Sequence, residues 1–465
     1  MIKSVLIIVP HQDDDLNVAG CLLDQLVNAR IPIDVCFVTN GDYFHAETTR
    51  AKEVSKVAKK IYRNVYYLGY GDCGYDIPRL YNVEEKDIIS SYAGLNKTYS
   101  VGLFEDYHHM KYGEHASYTK ENIKNDLKDV ILEVSADLIF CVDYDEHPDH
   151  RMVSLLFDEC MGEILRFTKY RPLILKKFAY LGNWFGEDDY FYRPMQETKC
   201  LSNGMRSKEN DCLPYEWKDR LQLKVSPDLY RLRFWKSPLF KLAKLYDSQH
   251  VVMHYSKMIN ADAVYWYRNT KNLALKACVT ASSGTSEYIN DFKICDSDNI
   301  LNIPQSGGCN KFSKCAWVPD SNDFEKLIKI QFKEIIDISA IRIIQNFNEV
   351  GHISKCKLRF SDGSENIIAL PENDWFLYEV NDKKNISWLT IQILDYTGAE
   401  AGIREVEVFD EDYNFPLEIT PFSFYKSIQD KKFHKCSFFE LLYNGYIIFL
   451  HRIPNKIKRT LKHGI

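Results

Sequence analysis

Apolar residues recur along the first half of the chain with two periods, one typical of buried strands and one typical of helices. Four short runs, rich in Val, Ile, Leu and Phe, have the continuous apolar pattern of strands buried on both faces. These runs are Val5–Val9, Ile33–Thr39, residues 64–68 and residues 136–142. Between and after them, helical spacing is found over residues 16–29, 47–61, 119–134 and 150–167. This order predicts an α/β fold, with a Rossmann-like, doubly wound, mostly parallel sheet over residues 1–270.

The pattern changes at about residue 271, where short alternating runs separated by turns replace the helical periods. The predicted strands are residues 328–332, 341–345, 355–360, 366–370, 389–394 and 405–409. Ser361-Asp362-Gly363 is a hairpin turn signal between two of them. We therefore expect an all-β sandwich, of jelly-roll type, over residues 271–412.

The last part of the chain, residues 413–465, has a third pattern. Residues 438–450 are apolar and residues 451–463 are basic. The apolar stretch is too short and too interrupted to span a bilayer. Two interpretations stay open: a helix that lies on an anionic membrane, with the basic residues as a second attachment signal, or a helix docked on the protein's own surface.

Composition narrows the class of protein. The 465 residues carry a formal net charge of -6, so the basic excess of a nucleic-acid-binding chain is missing. The 13 cysteines are scattered without a CxxC pair, which argues against a structural zinc site and fits a reducing compartment. The first apolar run is too short for a signal peptide. We expect a cytoplasmic protein, at the inner face of the membrane if the tail binds lipid.

Two polar motifs directly follow predicted strands. Pro10-His11-Gln12-Asp13-Asp14-Asp15 comes after the first strand, and His147-Pro148-Asp149-His150 comes after the strand that ends at residue 142. A doubly wound fold brings such loops together at the carboxyl edge of its sheet. Imidazoles and carboxylates there suit a mononuclear zinc site, which in enzymes keeps one coordination position open for water.

The motifs PHQDD and HPDH resemble those of the PIG-L/LmbE family of zinc deacetylases. That family includes N-acetylglucosaminyl-phosphatidylinositol deacetylases and the deacetylases of mycothiol and bacillithiol synthesis. The resemblance implies one zinc ion per chain, held by His11, Asp14 and His150. It also implies that Asp13 is the general base and that His147 is the acid or the partner of the oxyanion.

The resemblance extends over about residues 1–270, with insertions at residues 69–117 and 181–238. It implies that Arg50, on the second helix, faces the sugar substrate, and Asp149 is suited to hold a ligand imidazole in one tautomer from behind. The implied reaction is hydrolysis of the N-acetyl group of an N-acetylhexosamine-containing substrate in glycan or glycoconjugate metabolism. The expected partner is therefore an N-acetylated sugar or glycan.

The second domain resembles the galactose-binding-like sandwiches, which include discoidin domains and family 32 carbohydrate-binding modules. The residues that carry this resemblance are Asn272-Leu273-Ala274, Ala281-Ser282-Ser283 and the final strand after Gly402-Ile403. The resemblance implies the fold. It leaves open whether this domain binds glycan or only packs against its neighbour.

Two other functions compete with hydrolysis. Asp13-Asp14-Asp15 can be read as the DxD element of a metal-dependent glycosyltransferase, but that reading gives no role to His11, His147 or His150. Alternatively, the protein is a non-catalytic glycan-binding protein on a deacetylase scaffold. Metal analysis and acetate release separate the three hypotheses.

Overall fold

The computed structural model describes most of the chain from Ile2 to Ile447. Within that range it leaves out residues 44–45, 73–79, 82, 146, 180–183, 186–191, 194, 196, 201–216, 231, 233, 250–259, 296–315, 346–350, 372–374, 411–412, 417, 420–421, 424–433, 436 and 444. Much of the predicted insertion 181–238, part of the insertion 69–117 and the basic end of the predicted tail therefore lie outside the described residues.

A seven-stranded sheet forms the centre of the first half. Its strands are β1 Val5–Val9, β2 Ile33–Thr39, β3 Asn64–Tyr70, β4 Leu138–Val142, β5 Leu173–Lys177, β6 Leu221–Lys224 and β7 Asp262–Arg268. Their spatial order is β3-β2-β1-β4-β5-β7-β6. The first five strands run parallel, β7 pairs antiparallel with β5, and β6 pairs antiparallel with β7. All five residues of β1 and all seven of β2 are buried, which explains their continuous apolar runs. The predicted doubly wound, mostly parallel sheet is confirmed.

Helices accompany this sheet along the chain. They are α1 Asp14–Asn28, α2 Glu47–Ile61, α3 Tyr107–Tyr112, α4 Lys120–Val134, α5 Pro148–Phe167, α6 Pro227–Tyr230 and α7 Pro238–Ala243. Both α1 and α5 begin two residues before their predicted starts, because the polar residues of the two motifs form their first turns. The chemistry of the motifs is thus built into two helix N-termini.

The second half is antiparallel and all-β, as predicted. Its strands are β8 Cys278–Ala281, β9 Leu327–Gln345, β10 His352–Phe360, β11 Glu365–Ala369, β12 Trp375–Thr397 and β13 Ile403–Phe409. The predicted strands 328–332 and 341–345 are the two ends of β9, which continues through exposed residues 333–335. The pairing of β9 with β12 shifts register between these ends, so one long strand crosses the domain with irregular pairing.

Helix α5 joins the two halves. Gly162, on this helix, packs so closely against the segment before β9 that an added Cβ would lie 2.2 Å from the carbonyl oxygen of Asp291. Arg268 donates a hydrogen bond to Asp158 of α5 at 3.1 Å, and its guanidinium lies 4.2 Å from the ring centroid of Phe292. The same helix that begins in the HPDH motif therefore ends against the β domain.

Candidate active site

The two sequence motifs meet because their strands are neighbours. β1 and β4 pair in parallel, so the loops after Val9 and Val142 leave the same edge of the sheet side by side. The first loop leads into α1 and carries His11 and Asp14. The second loop leads into α5, and His150 lies on the first turn of that helix.

Asp14 lies between the two histidines. One of its oxygens, Oδ2, is 3.1 Å from Nδ1 of His11 and 3.1 Å from Nε2 of His150. Asp14 and His150 are fully buried and His11 nearly so. The structure thus brings together the three side chains that were predicted as zinc ligands.

Each histidine also has a carboxylate on its outer nitrogen. Oδ2 of Asp149 lies 3.0 Å from Nε2 of His11, and Oδ1 of Asp145 lies 2.8 Å from Nδ1 of His150. A carboxylate accepts a hydrogen bond from a ring N–H. Asp149 and Asp145 are therefore placed to hold the hydrogens on the outer nitrogens if the inner nitrogens bind a metal. Asp149, which was predicted to support a ligand imidazole, thus lies beside His11. Asp145 was not predicted for the same position on His150.

Asp72 is a further carboxylate that sequence reasoning missed. It follows β3 and lies 3.9 Å from Nε2 of His11, where it also accepts the backbone N–H of Gly41 at 3.2 Å. The strand was predicted to end at residue 68, which put Asp72 inside an insertion. In fact β3 runs on through Gly69 to Tyr70 and delivers Asp72 to the same edge of the sheet.

The charges around the histidines favour a cation. Burial opposes imidazolium formation, but the neighbouring carboxylates outweigh it: they raise the pKa of His150 to about 10 and the pKa of His11 well above its usual value. Burial also opposes ionisation of Asp14, yet His150 and His11 hold the pKa of this carboxyl well below its usual range. A buried pocket that stabilises positive charge and offers nitrogen and carboxylate oxygen donors fits a zinc ion.

The described residues contain two groups whose potential ligand atoms lie within 4.8 Å of one another. One is His11 with His147 and His150, and the other is His11 with Asp72 and Asp149. Both groups contain His11. Neither group contains Asp14, whose Oδ2 instead lies between one nitrogen of His11 and one of His150.

Residues 6–161 match the model of the family described as PIG-L, GlcNAc-PI de-N-acetylase. The first half of the chain contains a PIG-L domain. The predicted resemblance to this family is thereby confirmed, and the matched range includes both motifs. Residues 272–409 match a second family, which is described as a domain of unknown function, DUF7402. No curated protein matches the chain.

Solved structures similar to the two halves have low identity. The N,N'-diacetylchitobiose deacetylase from Pyrococcus horikoshii is 15% identical, with a TM-score of 0.31, over 57% of this chain and 83% of that chain. The family 32 CBM of NanJ from C. perfringens, in complex with galactose, is 16% identical, with a TM-score of 0.21, over 29% of this chain and 95% of that chain. Chitosan-binding module 1 of a chitosanase/glucanase from Paenibacillus is 11% identical, with a TM-score of 0.20, over 30% of this chain and 98% of that chain.

Asp13 of the PIG-L domain lies beside the metal-ligand candidates in an unusual backbone conformation. It precedes α1 with φ 139° and ψ -24°, a region that residues other than glycine rarely adopt. Burial and the charge of Asp14 raise the pKa of its carboxyl to about 8, although Arg50 opposes the shift. A carboxyl whose pKa lies near neutrality is suited to proton transfer at neutral pH.

Arg50 of the PIG-L domain is buried against the turn that follows β2. A Cβ added to Gly41, which has φ 67°, would lie 2.6 Å from Cδ of Arg50 and 2.4 Å from Oε1 of Gln12. Gln12 in turn donates to the carbonyl of Thr39 at 2.8 Å and so ties the first motif to the end of β2. Glycine at position 41 therefore lets Arg50, which was predicted to face the substrate, lie close to Gln12 of the first motif.

His147 caps helix α5. Its Nδ1 accepts the backbone N–H of Asp149 at 3.2 Å, and its ring centroid lies 4.8 Å from that of His11 and 4.7 Å from that of His150. Burial and the positive charge of His150 lower the pKa of His147 to about 3. The neutral ring, with its hydrogen on Nε2, is the form that this geometry favours.

The segment just after α7 packs against the first turn of α1 and against α2. Tyr246, just after α7, donates to Oδ2 of Asp15 at 2.9 Å, and Tyr62 donates to the same oxygen. Ser248 donates its hydroxyl to Glu53 of α2 at 2.7 Å. The two tyrosines hold Asp15 in the first turn of α1, and Ser248 ties the segment after α7 to α2.

Proposed function

We propose that the PIG-L domain hydrolyses the N-acetyl group of an N-acetylhexosamine-containing substrate and uses one zinc ion per chain. The observation that carries this proposal is the convergence of two imidazole nitrogens on Asp14, with the carboxyl of Asp13 next to them. The description of the matched family as a de-N-acetylase supports the type of bond that is broken.

The proposed metal ligands are Nδ1 of His11, Oδ2 of Asp14 and Nε2 of His150, because these atoms face one another and the outer nitrogens are already engaged. A zinc ion held there would supply Lewis-acid chemistry, polarising the acetyl carbonyl and acidifying water. Asp145 and Asp149 would hold the two rings in the orientation that binding needs.

Asp13 is the proposed general base. Its carboxyl takes a proton from the attacking water and returns it to the leaving amine nitrogen. Burial and the charge of Asp14 raise the pKa of this carboxyl towards neutrality, which suits a group that takes up a proton and then releases it.

His147 is the proposed partner of the oxyanion. Because its Nδ1 accepts the amide of Asp149, its Nε2 carries a hydrogen that can be donated to the carbonyl oxygen as negative charge develops there. Between the two roles expected for this residue, the hydrogen bond to Nδ1 favours donation by the neutral ring over proton transfer by an imidazolium. Arg50 is proposed to contact the sugar.

The test is acetate release from a set of N-acetylhexosamine derivatives, with Asp13→Asn as the key variant. This variant keeps the size of the side chain but cannot accept the proton, so we expect turnover to fall about 100- to 10,000-fold while zinc stays near one per chain. Asp24→Asn, on the same helix but away from the motifs, is the matched control and should keep full turnover.

Three outcomes contradict the proposal. Unchanged turnover of Asp13→Asn would remove the assigned base. Binding of manganese only in the presence of a nucleotide sugar, without acetate release, would favour the glycosyltransferase hypothesis instead. Binding of glycans by a protein that releases no acetate would favour the non-catalytic hypothesis.

A further inference from the structure

Two helical stretches, residues 438–443 and 445–447, expose large apolar side chains and are together called the C-terminal helix. Phe438 is 70% exposed, Phe439 81%, Leu442 56% and Tyr446 54%. Single exposed apolar residues are common on protein surfaces, but a cluster on one short helix marks a surface that contacts something else.

Two side chains of this helix contact the described rest of the protein. The ring of Tyr443 lies 5.3 Å from that of Trp235, measured between centroids, and Ile447 packs against the main core. The four side chains named above remain exposed although this contact is made. A helix that docked on the protein's own surface to bury its apolar residues would not leave them in this state.

The surroundings of the C-terminal helix are basic. Trp235 lies in the segment of residues 234–249. Its exposed charged residues are three lysines, Lys236, Lys241 and Lys244, and one aspartate, Asp247. The sequence that follows the helix adds five more cations, Arg452, Lys456, Lys458, Arg459 and Lys462, and no acidic residue follows Glu440. The apolar helix is therefore combined with positive charge from two separate parts of the chain.

We propose that the C-terminal helix lies in the interface of an anionic membrane, with its Phe and Leu side chains in the acyl boundary and the lysines near lipid phosphates. No helix in the described part of the chain is long and apolar enough to cross a membrane. A helix that lies on the bilayer needs apolar insertion and electrostatic attraction together, and both are present here.

The charges around the C-terminal helix also favour a membrane over a second copy of the chain as its partner. A symmetric contact through the C-terminal helix would bring the same lysines of two molecules together. Like charges facing one another destabilise an interface, whereas anionic lipid neutralises them. The charge pattern thus favours lipid over self-association.

The test is flotation of the full chain with vesicles of equal amounts of phosphatidylglycerol and phosphatidylcholine, compared with phosphatidylcholine alone. We expect flotation with the anionic vesicles, and its loss at high salt, because salt screens the attraction. Phe438→Ser/Phe439→Ser should weaken binding about tenfold or more for each ring that no longer inserts. Lys236→Gln/Lys241→Gln/Lys244→Gln should weaken it roughly fivefold per lysine.

The matched control is Phe324→Ser on the β domain, since Phe324 is 99% exposed and lies away from the C-terminal helix in the chain. It should float like the wild type, and the melting temperatures of all variants report whether they are folded. Equal flotation of Phe438→Ser/Phe439→Ser and wild type would overturn the proposal. So would a wild type that does not float but forms a dimer which Phe438→Ser/Phe439→Ser dissociates.

Discussion

Asp13 combines a strained backbone with the proposed chemical role. Its φ of 139° costs a residue with a Cβ about 1–3 kcal/mol, a cost that glycine avoids. Glycine loses more backbone entropy on folding than alanine does, and this loss offsets part of the relieved strain. We therefore expect Asp13→Gly to be more stable than Asp13→Ala by about 1 kcal/mol. Thermal denaturation of the metal-free proteins measures the difference, and both variants should release no acetate.

This comparison isolates the backbone, because both variants lose the carboxylate. If Asp13→Gly melted below Asp13→Ala, the entropy cost of glycine would account for the difference and the conformation of this residue would carry no appreciable strain. The strain itself would then be no argument for a function at position 13.

The site residues that the sequence predicted are those that belong to compact motifs. His11, Asp14 and His150 follow strands whose apolar patterns are unmistakable, so their convergence was predictable from topology. Asp72 was not, because Gly69 interrupts the apolar pattern of β3 and hides two further residues of the strand. Asp145 was not predicted because a carboxylate behind a histidine is recognised only once the ring's direction is known.

At the scale of elements, His147 links helix stability to catalysis. It occupies the N-cap of α5, where its Nδ1 accepts a backbone amide. Asparagine also caps helices well, so His147→Asn should keep the stability of the protein but lose the donor at Nε2, with a fall in turnover of about 100- to 1,000-fold. His147→Ala should lose the same turnover and about 1 kcal/mol of stability as well.

Acetate release and urea denaturation, measured on both variants, separate the two roles. Equal stability of His147→Asn and His147→Ala would show that the cap contributes nothing. Full turnover of His147→Asn would show that the imidazole is dispensable for the reaction.

Among the strands, boundaries followed the hydrophobic pattern most closely where the strand is buried on both faces, as in β1 and β2. In the β domain, β9 and β12 span 19 and 23 residues, and each contains exposed stretches that break the alternation. Register shifts let such strands bend while their pairing continues. Because the prediction followed the alternation of buried residues, it divided β9 into two strands. It also found only residues 389–394 of β12.

At the scale of the whole molecule, Gly162 reports whether the two halves are docked as described. Glycine in a helix is less stable than alanine by about 0.5–1 kcal/mol, so Gly162→Ala in an exposed helix would stabilise the protein. Here the new Cβ would lie 2.2 Å from the carbonyl oxygen of Asp291, so the two halves must move apart. We expect Gly162→Ala to lower the melting temperature instead, with zinc content unchanged. A raised melting temperature would mean that α5 does not pack against the β domain at this point.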